Sequence, residues 1–405
     1  MEVFVARQPI FDRNLKVWGY ELLFRSSATQ AKFDGTSASS ATTQVVSNSL
    51  LSIGWDKMLR GKQGCINFGR DMLLQDWYSV LPKECTIIEL TEDIEPDGDV
   101  LDAVRAMRAR GYRIALDDFQ PGPKMEPLIE LAHFIKVEIN TPKAQQESMV
   151  REFRGRGIKM LSEKVETDAD YRWALRAGYE YFQGYFFARP VIIAGKQIPA
   201  NKLQCLQLMQ EALRPELDFT RLTSLVSQDV SFTYKLMRYA NSAHFGRQVK
   251  IQSVRRALVA LGECGVRKWV AMAALPIMAE GKPAELITQT LVRGRFCELL
   301  GRAGGQGVED QAFLIGLFSM LGVLLDRPLE DTLTEMGLAP ALDAVLRGQA
   351  SEESVLDRIY KLVQRYEMAD WDEVERLADH LGTAPELVGD AYREALPWAD
   401  EAARS

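Results

Sequence analysis

A chain of 405 residues has room for two or three domains, and 47% hydrophobic with 26% charged residues describes a globular protein, not a disordered or fibrous one. The net charge of −7 and the pI near 5.4 give no general pull toward nucleic acid or anionic lipid, and the basic cluster at Arg151 to Gly157 reads as a solvated helix face. Five cysteines without C-x-x-C spacing argue against a zinc site or disulfide framework, and three histidines exclude a histidine-rich metal centre.

The N-terminal "MEVFVARQPIF" lacks a basic-then-apolar signal pattern, and no run approaches the ~18 apolar residues of a membrane span. A reducing, cytoplasmic location is expected. "VFVARQPIFDRNLKVWGYELLFR" reads as a hairpin turning at Asp12 to Asn14. From Cys65 to about Val191, short apolar strands alternate with amphipathic helices. "GCINF" and "TIIEL" are strands. "DVLDAVRAMRARG" carries Val100, Ala103, Val104 and Met107 at helical spacing and stops at Gly111. "RIALDDF" follows, then "MEPLIELAH" leading into "FIKVEI". "QQESMVREFRGRG" ends at Gly157 before "IKMLSEKV", and Thr167 caps a helix that ends at Gly178 before "YEYFQGYFF". This repeated unit predicts parallel strands with helical crossovers, hence an α/β barrel or an open sheet.

From about Ile198 the pattern changes to helices joined by short polar loops, "LQCLQLMQEAL", "VRRALVALGE" and "VRKWVAMAAL" among them, with no convincing strand. The expected division is a barrel domain over 1–195 and an all-helical domain over 196–405, with "AGKQIPANK" as linker. His133, at a helix-to-strand junction, and His244, in a loop, read as packed or solvated residues.

Polar residues recur at one place in the first half. Glu21 ends the hairpin, Asn67 ends "CINF", Glu89 ends "TIIEL", and Asp117 with Asp118 ends "RIALDD"; Lys136, Glu163 and Gln183 lie in the last three strands. In a parallel barrel all strand C-termini open on one face, so these groups converge on one mouth. Two adjacent aspartates after an apolar run are costly unless something compensates their charge. Oxygen donors favour hard ions such as Mg²⁺ or Mn²⁺, and two adjacent aspartates suit a pair of them. With a lysine nearby, phosphodiester hydrolysis is the natural inference.

At these residues the sequence resembles the EAL family of cyclic di-GMP phosphodiesterases. "ARQPIF" with "GYELLFR", then "INF", "IIELTED", "LDDF", "IKVEI", "SEKVET" and "FQGYFFARP" follow that family's motifs in order over residues 3 to 191. The resemblance implies a TIM-like barrel, shortened because Glu21, Asn67 and Glu89 are closely spaced. It implies Glu21, Asn67, Glu89, Asp117, Asp118 and Glu163 as ligands of Mg²⁺ or Mn²⁺. Lys136, Glu163 and Glu21 would carry the catalysis, Gln8, Pro9, Arg25 and Gln183 would touch cyclic di-GMP, and Glu92 and Glu166 would support loops. The family's loop after the paired aspartates, D-D-F-G-x-G-Y-S-S, is replaced by "DDFQPGPKM".

The second half resembles the HDOD domain, a relative of the HD phosphohydrolases, through "LVSQDVSFTYKLMRYANSAHFG", "IQSVRRALVALGECGVRKWV" and "AFLIGLFSMLG", where Ser319 and Met320 stand in place of the metal-binding histidine and aspartate. That implies a non-catalytic protein-interaction domain, with no nucleic-acid or membrane partner, in a chain whose barrel domains often form homodimers. Two readings follow. One is a signalling protein of the cyclic di-GMP network whose EAL part hydrolyses little or nothing. The other is an active Mg/Mn-dependent cyclic di-GMP phosphodiesterase, producing the linear dinucleotide under control of the HDOD half.

Overall fold

The computed structural model describes residues 3–26, 58–185, 200–214, 216–241, 251–305 and 307–403. His244, most of the linker read at 194–202, and the side chain of Arg25 lie outside the described residues. The chain divides into two compact units: Met1–Arg189 with Arg365–Asp372, and Pro190–Gln364 with Glu373–Ser405.

The first unit opens with the expected hairpin, β1 (Val3–Asp12) antiparallel to β2 (Val17–Ser26). Its turn is built by Asp12, whose side chain accepts from the backbone N–H of Asn14 at 2.8 Å and of Lys16 at 2.9 Å. There follow β3 (Gln63–Phe68), α1 (Arg70–Leu74), a 3₁₀ turn (Trp77–Val80), β4 (Thr86–Leu90), α2 (Gly98–Ala109) and β5 (Arg113–Leu116). Then come α3 (Glu126–Ile129), β6 (Phe134–Glu138), α4 (Lys143–Gly155), β7 (Lys159–Glu163), α5 (Asp168–Ala177) and β8 (Tyr181–Gln183). The eight strands close a barrel in sequence order, parallel from β2 to β8. β1 runs against both neighbours and shuts the barrel where Ile10 faces Gln183. The crossover from β3 to β4 is only a five-residue helix and a 3₁₀ turn, the shortening expected from the spacing of Asn67 and Glu89.

Local signals explain the crossovers. Asp97 caps α2 by accepting from Val100 N–H, and the helix buries Val100, Val104 and Met107. Thr167 caps α5 in the same way, accepting from Asp170 N–H. Gly178 ends α5 at φ +111°, where a Cβ would sit 3.0 Å from Val150.

Ile10, Cys65, Ile87, Ala115, Phe134, Leu161 and Tyr181 form an apolar layer across the barrel, with Trp18 packed against it, 4.2 Å from the Tyr181 ring. Because side chains alternate along a strand, residues two positions from this layer face the interior one level up. A late segment, Arg365–Asp372, also belongs to this unit: buried Tyr366 donates its hydroxyl to Val5 O at 2.9 Å and meets Trp371 edge-on.

From residue 200 the described residues hold helices and no strand: α6 (Ala200–Ala212), α7 (Phe219–Ser227), α8 (Val230–Ala240), α9 (Val254–Met278), α10 (Ala284–Ala303) and α11 (Glu309–Phe318). They continue as α12 (Leu321–Leu325), α13 (Leu329–Met336), α14 (Pro340–Leu346), α15 (Val355–Glu367), α16 (Trp371–Leu381) and α17 (Pro385–Ala403). α9 breaks at Gly262, which takes φ +70° near the end of the first of the two stretches read separately from sequence. Among the described residues, no single helix is long and apolar enough to cross a membrane.

Candidate metal centre at the barrel mouth

One level above the apolar layer, every strand but β5 contributes one polar residue: Gln8 from β1, Glu21 from β2, Asn67 from β3, Glu89 from β4, Lys136 from β6, Glu163 from β7 and Gln183 from β8. Asp117, immediately after β5, completes the ring, and Asp118 follows it at φ +39°. Gln8, Asn67, Glu89, Asp117, Lys136, Glu163 and Gln183 each sit two residues from a member of the apolar layer, so the strand period of two assembles these seven, while Glu21 lies opposite Gln8 across the β1–β2 pair.

The ring is tightly bonded. Glu21 accepts from Asn67 Nδ2 at 2.9 Å and from Gln183 Nε2 at 2.6 Å, and Gln183 also donates to Gln8 at 3.2 Å. Lys136 is 1% exposed, and its Nζ lies 3.4 Å from Glu21, 3.0 Å from Glu89, 2.8 Å from Asp117 and 2.9 Å from Glu163. Burial, reinforced by the neighbouring carboxylates against the pull of Lys136, pushes Glu89 well above the usual carboxylate range. The same cause raises Glu163 to about 8. Burial pulls Lys136 down, but the surrounding carboxylates override it and hold the ammonium charged. Beneath them, the Cys65 thiol is pushed up by burial and by Glu89.

Five carboxyl groups surround one ammonium, so the mouth holds a surplus of acidic oxygens. Oxygens of Glu21, Glu89 and Asp117 lie within 4.8 Å of one another, as do those of Asp117, Asp118 and Glu163, so Asp117 belongs to both triads. Asn67 Oδ1, Asp118 Oδ1 and Glu163 Oε2 are buried with no hydrogen-bond partner among the described residues. Buried oxygens of that kind are costly unless they have a ligand. An all-oxygen set of this density fits two hard divalent cations.

The other residues singled out from sequence fall differently. Pro9 is buried on the opposite face of β1 from Gln8, beside Tyr20. Glu92 and Glu166 are exposed, on the loops after β4 and β7. Glu21 lies in the middle of β2 and not at its end, because the hairpin extends to Ser26. The strand-end pattern accounted for seven segments. Gln8 is the eighth ring member, hidden from that pattern because β1 runs the opposite way.

The altered loop begins from a fixed base. Asp117 N–H donates to Leu90 O at 2.9 Å and Phe119 N–H to Lys136 O at 3.1 Å, while the Phe119 ring packs edge-on against Phe153. Gln120 to Lys124 are exposed, and Gly122 is extended at φ −169°, so the positive φ falls on Asp118. Gly184 closes the other side at φ +144°, where a Cβ would meet Val165 O at 2.1 Å.

In the helical unit, Ser319 accepts from Arg293 Nη1 at 2.9 Å, and the Met320 sulfur accepts from the same nitrogen at 2.8 Å. A guanidinium therefore serves these two side chains.

Comparisons with known proteins match both halves of the chain. A family model for the EAL domain matches residues 71–190, and one for the HDOD domain matches residues 198–367. The protein named cyclic di-GMP phosphodiesterase CdgJ of Vibrio cholerae is 34% identical over 98% of this chain and 92% of its own length. The uncharacterized protein YuxH of Bacillus subtilis is 30% identical over 98% of each chain. Among solved structures, a calcium/cyclic di-GMP complex of BlrP1 from Klebsiella pneumoniae is 25% identical over 47% of this chain and 56% of that one, with a TM-score of 0.38.

Proposed function

The chain belongs to the bacterial EAL–HDOD family of the cyclic di-GMP network, and on that premise we propose that its barrel hydrolyses cyclic di-GMP to the linear dinucleotide with two Mg²⁺ or Mn²⁺ ions. The observation that carries this reading is the pair of carboxylate triads sharing Asp117, with buried oxygens left over for a ligand. Glu21, Asn67, Glu89, Asp117, Asp118 and Glu163 would hold the ions. When bound, such ions polarise the phosphoryl group and make a hydroxide available at neutral pH.

The protein's own groups do the rest. The three N–H donors of Lys136 can neutralise charge building on the phosphoryl oxygens. Glu163, whose carboxylate sits beside Asp117 and Lys136 with one oxygen unpartnered, is the proposed acceptor of a proton from the attacking water. Gln183 and Asn67 orient Glu21 by donating to its two oxygens. Gln8, Pro9, Arg25 and Gln183 are the proposed contacts of the dinucleotide, and Glu92 and Glu166 the loop supports. One P–O ester bond is cleaved, and the water leaves its oxygen on phosphorus and its hydrogens on the new phosphate and the released hydroxyl.

A second reading, binding with little or no turnover, is favoured by the loop from Gln120 to Met125, which lacks the family's glycines. Under either reading the helical unit is a non-catalytic site for a protein partner, with homodimerisation and a cytoplasmic location part of the proposal. The test is a Mn²⁺-supported hydrolysis assay on the full chain beside calorimetric binding of cyclic di-GMP, with Glu21→Ala as control. Turnover lost in Glu21→Ala supports the hydrolase. Binding without turnover supports the second reading, and neither activity removes both.

A further inference from the structure

Lys136 has more partners than donors. Its ammonium carries three N–H groups, yet four carboxylates crowd Nζ between 2.8 and 3.4 Å in an environment that is 1% exposed. Three of those partners, Glu21, Glu89 and Asp117, are one candidate metal triad, while Asp117 and Glu163 belong to the other. The lysine therefore draws on both triads at once. Buried carboxylates without a counter-charge destabilise a fold, and in the described barrel Lys136 is the one ammonium among them.

Resting on the two-metal reading, we propose that Lys136 is the resident counter-ion of the metal-free barrel, and that it and divalent cations oppose each other for the same carboxylates. A dication held by either triad engages carboxylates that Nζ also contacts, and two positive charges at such separations repel strongly. Metal loading then releases N–H donors of Lys136 from the carboxylates for phosphoryl oxygens of the substrate. Metal occupancy and the availability of the lysine become one coupled event, and the coupling is reciprocal.

Three quantities test this on the full chain: Mn²⁺ affinity by calorimetry, and melting temperature in EDTA and in saturating Mn²⁺. Lys136→Met should bind Mn²⁺ about 10-fold or more tightly than wild type, since a like charge beside the ions is gone. It should also melt below wild type in EDTA. Lys136→Arg, which keeps the charge, should bind Mn²⁺ no more tightly than wild type. If Lys136→Met does not fold without metal, Lys136→Gln prepared with Mn²⁺ throughout takes its place, with affinity read by chelator competition. Equal or weaker Mn²⁺ binding by the neutral variant overturns the inference, as does a melting temperature in EDTA at or above wild type. Wild-type protein that takes up no Mn²⁺ removes the two-metal reading itself, so the two failures are distinguishable.

Discussion

Each unit contains a charge cluster built around buried carboxylate, and the two are built to different ratios. In the helical unit, Lys268, Arg295 and Arg302 face Glu298, Asp310 and Glu394, three charges of each sign. Both oxygens of buried Glu298 have cationic partners, Lys268 at 2.7 Å and Arg295 at 2.8 Å, and the two cations also lie over the rings of Phe313 and Trp398. At the barrel mouth, five carboxyl groups surround one ammonium that contacts four of them, and several oxygens have no donor. Desolvated charge is tolerable when balanced and demanding when it is not. Balance suits a cluster that holds a fold together, and imbalance is what the proposed metal binding would relieve.

Two substitutions would break this contrast most directly. Asp117→Asn keeps the shape of the side chain while removing the carboxylate shared by both triads. It should lower hydrolysis by roughly 1000-fold, the several kcal/mol of transition-state stabilisation that metal ions supply, and abolish Mn²⁺ uptake in calorimetry. Turnover near the wild-type rate would show that the mouth does not work through Asp117. Glu298→Ala should do the reverse, leaving hydrolysis near wild type and destabilising the helical unit by about 1–3 kcal/mol, because Lys268 and Arg295 lose their charged hydrogen bonds to Glu298 while keeping Asp310 and Glu394. Denaturant melts read by circular dichroism would measure that loss. An unchanged midpoint would mean that the cluster contributes nothing to the fold.

How much of the mouth was legible follows from the geometry. Glu89, Asp117, Lys136, Glu163 and Gln183 could be read as converging because parallel strands repeat one direction, so a polar residue late in each apolar run lands at the same level. The stops at Gly111 and Gly178 were legible too, since both take the positive φ that glycine favours. Gln8 has equal standing in the ring, but β1 is antiparallel and presents it early in its strand, where no strand-end pattern looks. The return of Arg365–Asp372 to the first unit was not legible. Tyr366 is a buried aromatic on an amphipathic helix, and nothing in its spacing says that its hydroxyl meets Val5. The Lys268 partner of Glu298 was equally hidden, because an ion pair between distant helices leaves no periodic trace, whereas Arg295 and Arg302 lie three and four residues from it on the same helix.

A smaller effect sharpens what keeps the ring in shape. Gly184 follows Gln183, whose amide orients Glu21, and its Cα packs against the backbone of Val165, which donates to Gln183 O at 2.9 Å. Gly184→Ala should cost about 1–3 kcal/mol through overpacking and the unfavourable φ. Because the displaced strand end carries Gln183, Mn²⁺ affinity should fall together with the melting temperature. A melting temperature that falls alone would separate the glycine's packing role from the mouth.

The smallest effect concerns acid and separates the mouth from the rest of its own barrel. His133, just before β6, is held below the ordinary histidine range, first by burial and then by the positive charges of Arg108 and Arg113. Its Nδ1 accepts from Ile114 N–H at 3.2 Å, a bond that a protonated ring cannot make. The folded state therefore binds fewer protons at this residue than the unfolded chain does. Its contribution to stability is present above the unfolded value of 6.5 and is lost as pH falls below it. His133→Asn, whose side-chain oxygen can accept from the same N–H, should flatten the decline in melting temperature between pH 7 and pH 5. The measurement belongs in EDTA and in Mn²⁺ side by side. A flattening of equal size in both would trace this part of the acid response to His133, independent of the carboxylate ring. A flattening confined to one of them would tie the histidine to the mouth and undo that separation.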